Sequence, residues 1–415
     1  MKRLLMVAYH FPPLAGSSGI QRTLRFVQHL PDFGWETMVL TVHPRAYERT
    51  SDDLMRDVPA GTRVERAFAI DAARHLSLAG RYPGFLARPD RWISWRFPGI
   101  ATGMRIIREW QPQAIWSTFP IATAHVIGDA LQRRSGLPWI ADFRDPMAQE
   151  GYPADPRVWR SYQRIEEGAI RRARFSTFTT PSAARVYRQR YPAAADRIVM
   201  LENGYDEESF SGIGDTTVLH EPLHTGAKTL LHAGLVYPSE RDPTQLFAAV
   251  RRLVVSGRLR HGTLKLRFRA SGHEPFLRDL IRTHGLDDWV ELLAPVPYRA
   301  ALDEMVRADG LLLLQAANCN EQIPAKIYEY VRAGRPVIAL TDPEGDTAAV
   351  VRDAGLDTVA RLDSEEAIAD LLIRFVDADR TRPLPLPRAD YVARASRRGR
   401  AESLANLLDE AAASR

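Results

Sequence analysis

The sequence predicts an α/β protein of two doubly wound, Rossmann-like domains. Three observations predict it. Short apolar runs alternate with amphipathic helical stretches from one end of the chain to the other, the pattern of parallel sheets covered by helices on both faces. The chain has 415 residues, more than one hydrophobic core usually serves. The alternation lapses after Phe210, in SGIGDTTVLHEPLHTGAK, and then restarts.

In the first half, Leu4–Tyr9, Thr37–Thr41, Ala114–Thr118, Trp139–Phe143, Ser176–Thr180 and Ile198–Leu201 read as strands. Helical stretches at Ile20–Leu30, Ala122–Arg134 and Ser161–Arg172 lie among them. In the second half, strands are expected at Thr229–Ala233, Leu264–Ala270, Val290–Leu293, Gly310–Gln315 and Val337–Thr341. Helices are expected at Pro243–Val255, Phe276–His284, Ala300–Ala308 and Pro324–Ala333, followed by two more. The expected division is a first domain over 1–210, a linker over 211–227 and a second domain over 228–389. A C-terminal helix over about 390–415 is a candidate to pack back on the first domain. Ala72–Pro112 departs from the pattern, setting Trp92, Trp95 and Trp110 among arginines. It reads either as an irregular cap on the first domain or as a surface for a lipid-linked acceptor or membrane interface.

Composition narrows the function classes. Arg and Lys number 56 against 51 Asp and Glu, a net charge of +5. That excess suits a phosphate-bearing ligand or an anionic membrane surface and does not call for nucleic acid. One cysteine, Cys319, excludes an intrachain disulfide and points to a reducing compartment. The opening MKRLLMVAYHFPP reads as a buried first strand rather than a signal peptide, and no apolar run reaches the ~20 residues that span a bilayer. A cytoplasmic protein is expected, with contact at the inner face of the membrane as a further option.

Four segments carry candidate chemistry. The loop after the first strand holds His10, Gly16, Ser17, Ser18 and Gly19. It faces the ligand crevice of an open α/β sheet, where glycines let backbone N–H groups approach a phosphate; an ordinary turn is the alternative. At the end of a buried strand, Asp142, Arg144 and Asp145 cluster. A carboxylate there is placed to orient an acceptor hydroxyl or take its proton, unless the cluster is a structural Arg–Asp pair closing a turn. In the second half, Arg241 stands near a helix start, where a diphosphate would meet its charge; solvated surface is the alternative. Finally, Glu321 precedes Ile323, Pro324, Ala325 and Lys326 at a predicted helix start, with Glu329 one turn further on. Lys326 adds positive charge, and the carboxylates suit sugar hydroxyls. An ordinary helix with a Lys326–Glu329 pair would look the same.

This last segment resembles the retaining glycosyltransferases of family 4, which have the GT-B fold of two domains facing across a cleft. Glu321 and Glu329 have the spacing of that family's paired glutamates, and RAGRPV from Arg332 to Val337 supplies its helix-ending tail. The opening loop, Asp142–Pro146 (similar to a bacterial surface-polysaccharide subgroup) and Glu202–Asp206 resemble further family elements in the same order. The resemblance implies a hexosyltransferase-type enzyme moving a sugar from a nucleotide diphosphate sugar to an acceptor hydroxyl, in polysaccharide or glycolipid assembly. Glu329 would take the ribose, Ile323–Lys326 the diphosphate, and Glu321 the transferred sugar. Val296, within Pro295–Pro297, would lie near the nucleobase, and Gly16–Gly19 would approach the phosphates. His10 and Arg144 would stand on the acceptor side, with Asp145 or Asp142 nearest the acceptor. No metal and no cofactor beyond the donor substrate are expected, and the acceptor would be a lipid-linked or other oligosaccharide. Two departures matter: Leu235 stands where the family commonly has an arginine, and Arg144 where many members have a histidine. An epimerase or hydrolase on the same scaffold, or a non-catalytic sugar-nucleotide binder, is the competing reading.

Overall fold

The computed structural model describes residues 1–15, 19–77, 82, 84–213, 221–379 and 381–413. They form two compact units, one of residues 1–203 and 397–415, the other of 204–396.

The first unit is built on a seven-stranded sheet, ordered β3-β2-β1-β4-β5-β6-β7. Its strands are β1 (Lys2–Val7), β2 (Trp35–Val42), β3 (Arg63–Ala67), β4 (Ala114–Thr118), β5 (Trp139–Arg144), β6 (Phe175–Phe178) and β7 (Ile198–Met200). Every pairing is parallel. β1 and β4 have no exposure over Leu4–Val7 and Ala114–Trp116, because helices cover both faces. β3 was not expected from the sequence. As an edge strand it carries Arg63, Glu65 and Arg66, so no apolar run marks it.

The second unit has a six-stranded parallel sheet, ordered β10-β9-β8-β11-β12-β13. These are β8 (Lys228–Ala233), β9 (Leu264–Arg269), β10 (Val290–Leu293), β11 (Gly310–Leu314), β12 (Val337–Leu340) and β13 (Val359–Ala360). The unanticipated β13 is a two-residue edge strand. Strand order reverses between β1 and β4 in one sheet and between β8 and β11 in the other. Such reversals open crevices at the carboxyl ends of the strands.

The boundaries differ from expectation for a physical reason. Tyr205, Phe210 and Ile213 are buried in the second unit's core, so the chain joins that unit at 204, before the polar stretch that suggested a linker. Residues 214–220 of that stretch lie outside the described residues. The C-terminal region forms two helices, Ala389–Arg394 in the second unit and Arg397–Ala413 in the first. The latter buries Ala401, Leu404, Ala405, Leu408 and Ala411, a stripe at helical spacing that packs with Leu24, Leu30 and Trp35. Asp409 on its outer side accepts from the Trp35 indole at 2.8 Å and pairs with Lys2 at 2.7 Å.

Ala72–Pro112 is more regular than expected. Its second part is the helix Arg96–Trp110, seated on the helix Ala122–Ser135 through Gly99 and Gly103. A Cβ on these glycines would meet Ile127 and Leu131 at 2.6 and 2.7 Å, so close helix packing requires their absence. Trp95 and Trp110 are core residues, whereas Phe85 and Phe97 remain exposed. Among the described residues no helix is long and apolar enough to cross a membrane.

Candidate active site

In the second unit, β8 ends at Ala233 beside the β8/β11 reversal. Gly234 follows with φ +110°, a backbone conformation that side chains disfavour. A Cβ there would also stand 3.1 Å from Nζ of Lys326, so the glycine gives the ammonium its place over the strand end.

Lys326 opens the helix Lys326–Arg332, two residues later than predicted; Pro324 and Ala325 form the turn that leads in. Its Nζ lies 3.3 Å from Nε2 of His232, whose Nδ1 is 3.0 Å from the Leu312 carbonyl. Facing a carbonyl, Nδ1 must carry the proton, and Nε2 accepts from the ammonium. Burial, followed by the positive charges of Lys326 and Arg241, holds His232 neutral, well below its ordinary pKa. Burial and then Arg241 push Lys326 down to about 7, with Glu329 opposing. An anion arriving here would restore the full charge of Lys326. Arg241 donates to the Leu235 carbonyl at 2.9 Å and lies over the Tyr237 ring. It thereby brings a guanidinium to the loop where Leu235 itself supplies none.

Glu329 accepts at Oε1 from the Tyr298 hydroxyl at 2.5 Å. Tyr298 directly follows Pro295–Pro297, so this bond joins the Val296 segment to the helix of the paired glutamates. Tyr330 anchors that helix from within: it is buried, and its hydroxyl accepts from the Ala233 N–H at 3.0 Å. Glu321 is exposed in the preceding loop. Buried Gln315 staples this loop by donating to the carbonyls of Cys319 and Gln322, at 2.8 and 2.9 Å. Tyr298, His232 and Gln315 were missed because an isolated tyrosine, a strand histidine and a strand-end glutamine carry no motif.

In the first unit, Gly16, Ser17 and Ser18 lie outside the described residues. Gly19 opens the helix Gly19–His29. A Cβ on it would stand 3.0 Å from both Nη1 of Arg144 and Nδ1 of His10. Three predicted residues thus converge near the β1/β4 reversal. Burial, then the Arg144 charge, lowers His10 to about 4, so it is neutral near pH 7. Arg144 adopts φ +63° at the end of β5, where the register with β6 shifts, and Nη1 reaches toward the Phe119 carbonyl at 3.4 Å. Asp145 turns outward. The protein around it pushes its carboxyl up although the side chain is exposed, and Arg144 and Arg22 oppose the shift.

Asp142 corrects the sequence reading. It has no exposure, and its oxygens accept from Arg22 Nε and Nη2, both at 2.8 Å, from Thr118 at 2.8 Å and from Thr177 at 2.7 Å. Arg22 also donates to the carbonyls of Leu201 and Glu202, at 2.8 and 3.0 Å. A carboxylate enclosed by four donors ties a helix to β5, β6 and the end of β7; it has no free face for an acceptor. Asp145 is left as the accessible carboxylate of the cluster.

The first unit also matches a known family. Residues 18–204 match the glycosyl transferase 4-like domain. The matched segment contains the Gly19–Arg144–Asp145 cluster, while Lys326 and Glu329 lie beyond it. Comparison with curated proteins finds no match to the chain. Among solved structures, HepE of Anabaena, in complex with UDP and glucose, aligns with a TM-score of 0.62 at 13% identity, covering 99% of this chain and 100% of that one. The α,α-trehalose 6-phosphate synthase of Burkholderia multivorans aligns at 0.62 and 13%, covering 100% of both chains. The lipopolysaccharide outer core galactosyltransferase WaaB, in apo form, aligns at 0.61 and 10%, covering 98% of this chain and 99% of that one. At these identities the likeness is one of fold: the two parallel α/β sheets are those of GT-B proteins.

Proposed function

We propose that the chain is a glycosyltransferase of hexosyltransferase type. It moves a sugar, with retention, from a nucleotide diphosphate sugar to an acceptor hydroxyl in polysaccharide or glycolipid assembly. The observation that carries this reading is the grouping of Lys326, Arg241 and Gly234 at the end of β8, with Glu329 on the same helix as Lys326. Two cations beside a residue without a side chain suit a diphosphate, and a carboxylate one turn along suits a ribose diol. The glycosyl transferase 4-like segment and the UDP and UDP-glucose complexes of HepE support the same donor class.

The helix Lys326–Arg332 has seven residues, so its dipole is a minor contributor and the side-chain cations carry the phosphate charge. As the glycosidic bond breaks, Lys326 and Arg241 stabilise the departing diphosphate. Its oxygen takes the acceptor proton on the same face, so no strong protein base is required. Glu321 binds hydroxyls of the transferred sugar, while His10, Arg144 and Asp145 position the acceptor. The reaction draws on no metal or further cofactor, and the enzyme works in the cytoplasm at the inner face of the membrane.

The test is a panel of nucleotide sugars incubated with and without lipid-linked oligosaccharide. Acceptor-dependent nucleotide release, with the anomeric configuration kept in the product, is expected. Donor hydrolysis indifferent to every acceptor would make the protein a hydrolase, and binding without turnover would make it a sensor.

A further inference from the structure

The first unit contains a polar cavity of about 470 Å³, lined by none of the strand-end cluster residues. It lies against the helices Arg96–Trp110, Ala122–Ser135 and Pro156–Arg172. Five arginines line it, Arg88, Arg96, Arg133, Arg164 and Arg172, against a single carboxylate, Asp129. Arg133 pairs with Asp129 at 3.2 Å, and Arg172 shares the same carboxylate. Among the described residues, Arg88, Arg96 and Arg164 pair with no carboxylate. Five positive charges therefore face one negative charge in a recess, an arrangement that repels itself unless an anion enters.

The floor is equally specific. His125 lines the cavity, is wholly buried, and its Nε2 has no hydrogen-bond partner. Its protonation follows from its neighbours. The Trp139 indole can only donate, and it donates to Ser117 Oγ at 2.9 Å. The Ser117 hydroxyl proton is then available to His125 Nδ1, at 2.8 Å. A neutral imidazole that accepts at Nδ1 carries its proton on Nε2, leaving a buried N–H donor unmatched. Glycines maintain both features. A Cβ on Gly128 would meet Ser117 Oγ and Trp139 Nε1 at 2.8 Å, and one on Gly168 would meet Nη2 of Arg172 at 2.6 Å.

We infer that this cavity is an anion-binding site for a phosphate-bearing group of at least two negative charges. The arginine forks grip its oxygens and the His125 Nε2–H donates to one of them. This site is separate from the donor residues of the second unit and stands independently of the proposed transfer reaction. A soluble phosphate and a lipid headgroup present the same chemistry; exposed Phe85 and Phe97, close in sequence to Arg88 and Arg96, make the lipid source worth a separate arm.

The experiment is calorimetric titration of inorganic pyrophosphate into the wild type, an Arg96→Ala/Arg164→Ala variant and a Lys326→Ala variant. The double variant is expected to lose about tenfold or more in Kd for one class of site, which Lys326→Ala retains. Neither arginine has a carboxylate partner to lose, so the melting temperature without ligand should hold; Arg96→Gln/Arg164→Gln provides a milder pair if it does not. Equal isotherms for wild type and the arginine variants overturn the inference, as does binding lost only with Lys326. Sedimentation with phosphatidylglycerol vesicles, against phosphatidylcholine, separates the sources. Vesicle binding lost in the double variant assigns a headgroup, and pyrophosphate binding without vesicle binding assigns a free phosphate.

Discussion

The Tyr298 hydroxyl stands 2.5 Å from Oε1 of Glu329 and donates to the carboxylate that the paired-glutamate spacing assigns to a ribose. A phenol already occupies one lobe of that acceptor, so an incoming diol must share it or displace it. Glu329→Ala is therefore expected to weaken UDP-glucose binding about tenfold or more, since hydrogen bonds to a charged group contribute about 1.5–3 kcal/mol each. Tyr298→Phe should leave binding equal or tighter. A loss in Tyr298→Phe as large as in Glu329→Ala would assign the tyrosine to the ligand itself.

Under the proposed function, Lys326 is expected to make donor binding pH-dependent. Its pKa in the free protein is lowered to about 7 by burial and Arg241, and a diphosphate would raise it again. Binding of a nucleotide diphosphate sugar would then take up a proton, so its affinity is expected to be highest below pH 7 and to decline from pH 7 toward pH 9. Lys326→Met should bind more weakly and show a flat profile over that interval. Calorimetry in buffers of different ionisation enthalpy would count the proton directly.

The buried Arg22–Asp142 pair is expected to act as a structural element rather than in the chemistry. Removing one partner leaves a charge buried without its counterion, which costs about 3–5 kcal/mol. Asp142→Asn and Arg22→Met should each lower the midpoint of chemical denaturation strongly. Asp145→Asn, at an exposed position, should barely move it. An Asp142→Asn protein of normal stability but no activity would restore Asp142 as a catalytic candidate.

Gly19 is the contact point of the His10–Arg144 cluster, which the proposed function places on the acceptor side. A methyl group there would stand 3.0 Å from Arg144 and His10, a tight approach that these side chains relieve by moving a few tenths of an ångström. Gly19→Ala should reduce transfer to the acceptor by about tenfold or less, a smaller loss than the ~100-fold that a full 1 Å misplacement can cause. UDP-glucose affinity should change less, because Lys326, Arg241 and Glu329 belong to the other unit.

Periodicity, with its alternation of buried runs and amphipathic helices, determined the two parallel α/β sheets. Buried strands such as Leu311–Leu314 are apolar on both faces and need no context to be read. Edge strands β3 and β13 were not legible, since exposure on one side removes the apolar signal. The glutamate spacing and the strand-end loops likewise marked the candidate site segments from the chain alone. Whether each side chain is available was settled only by tertiary structure. Asp142 and Asp145 lie three residues apart in one motif, yet the first is enclosed by Arg22, Thr118 and Thr177 and the second faces outward. Lys326 is one of only four lysines among 56 cationic residues, but its lowered pKa arises from burial and from Arg241, which stands more than eighty positions away. Spacing encodes which residues share an element, whereas burial, charge and hydrogen-bond partners come from elements that meet only in the folded chain.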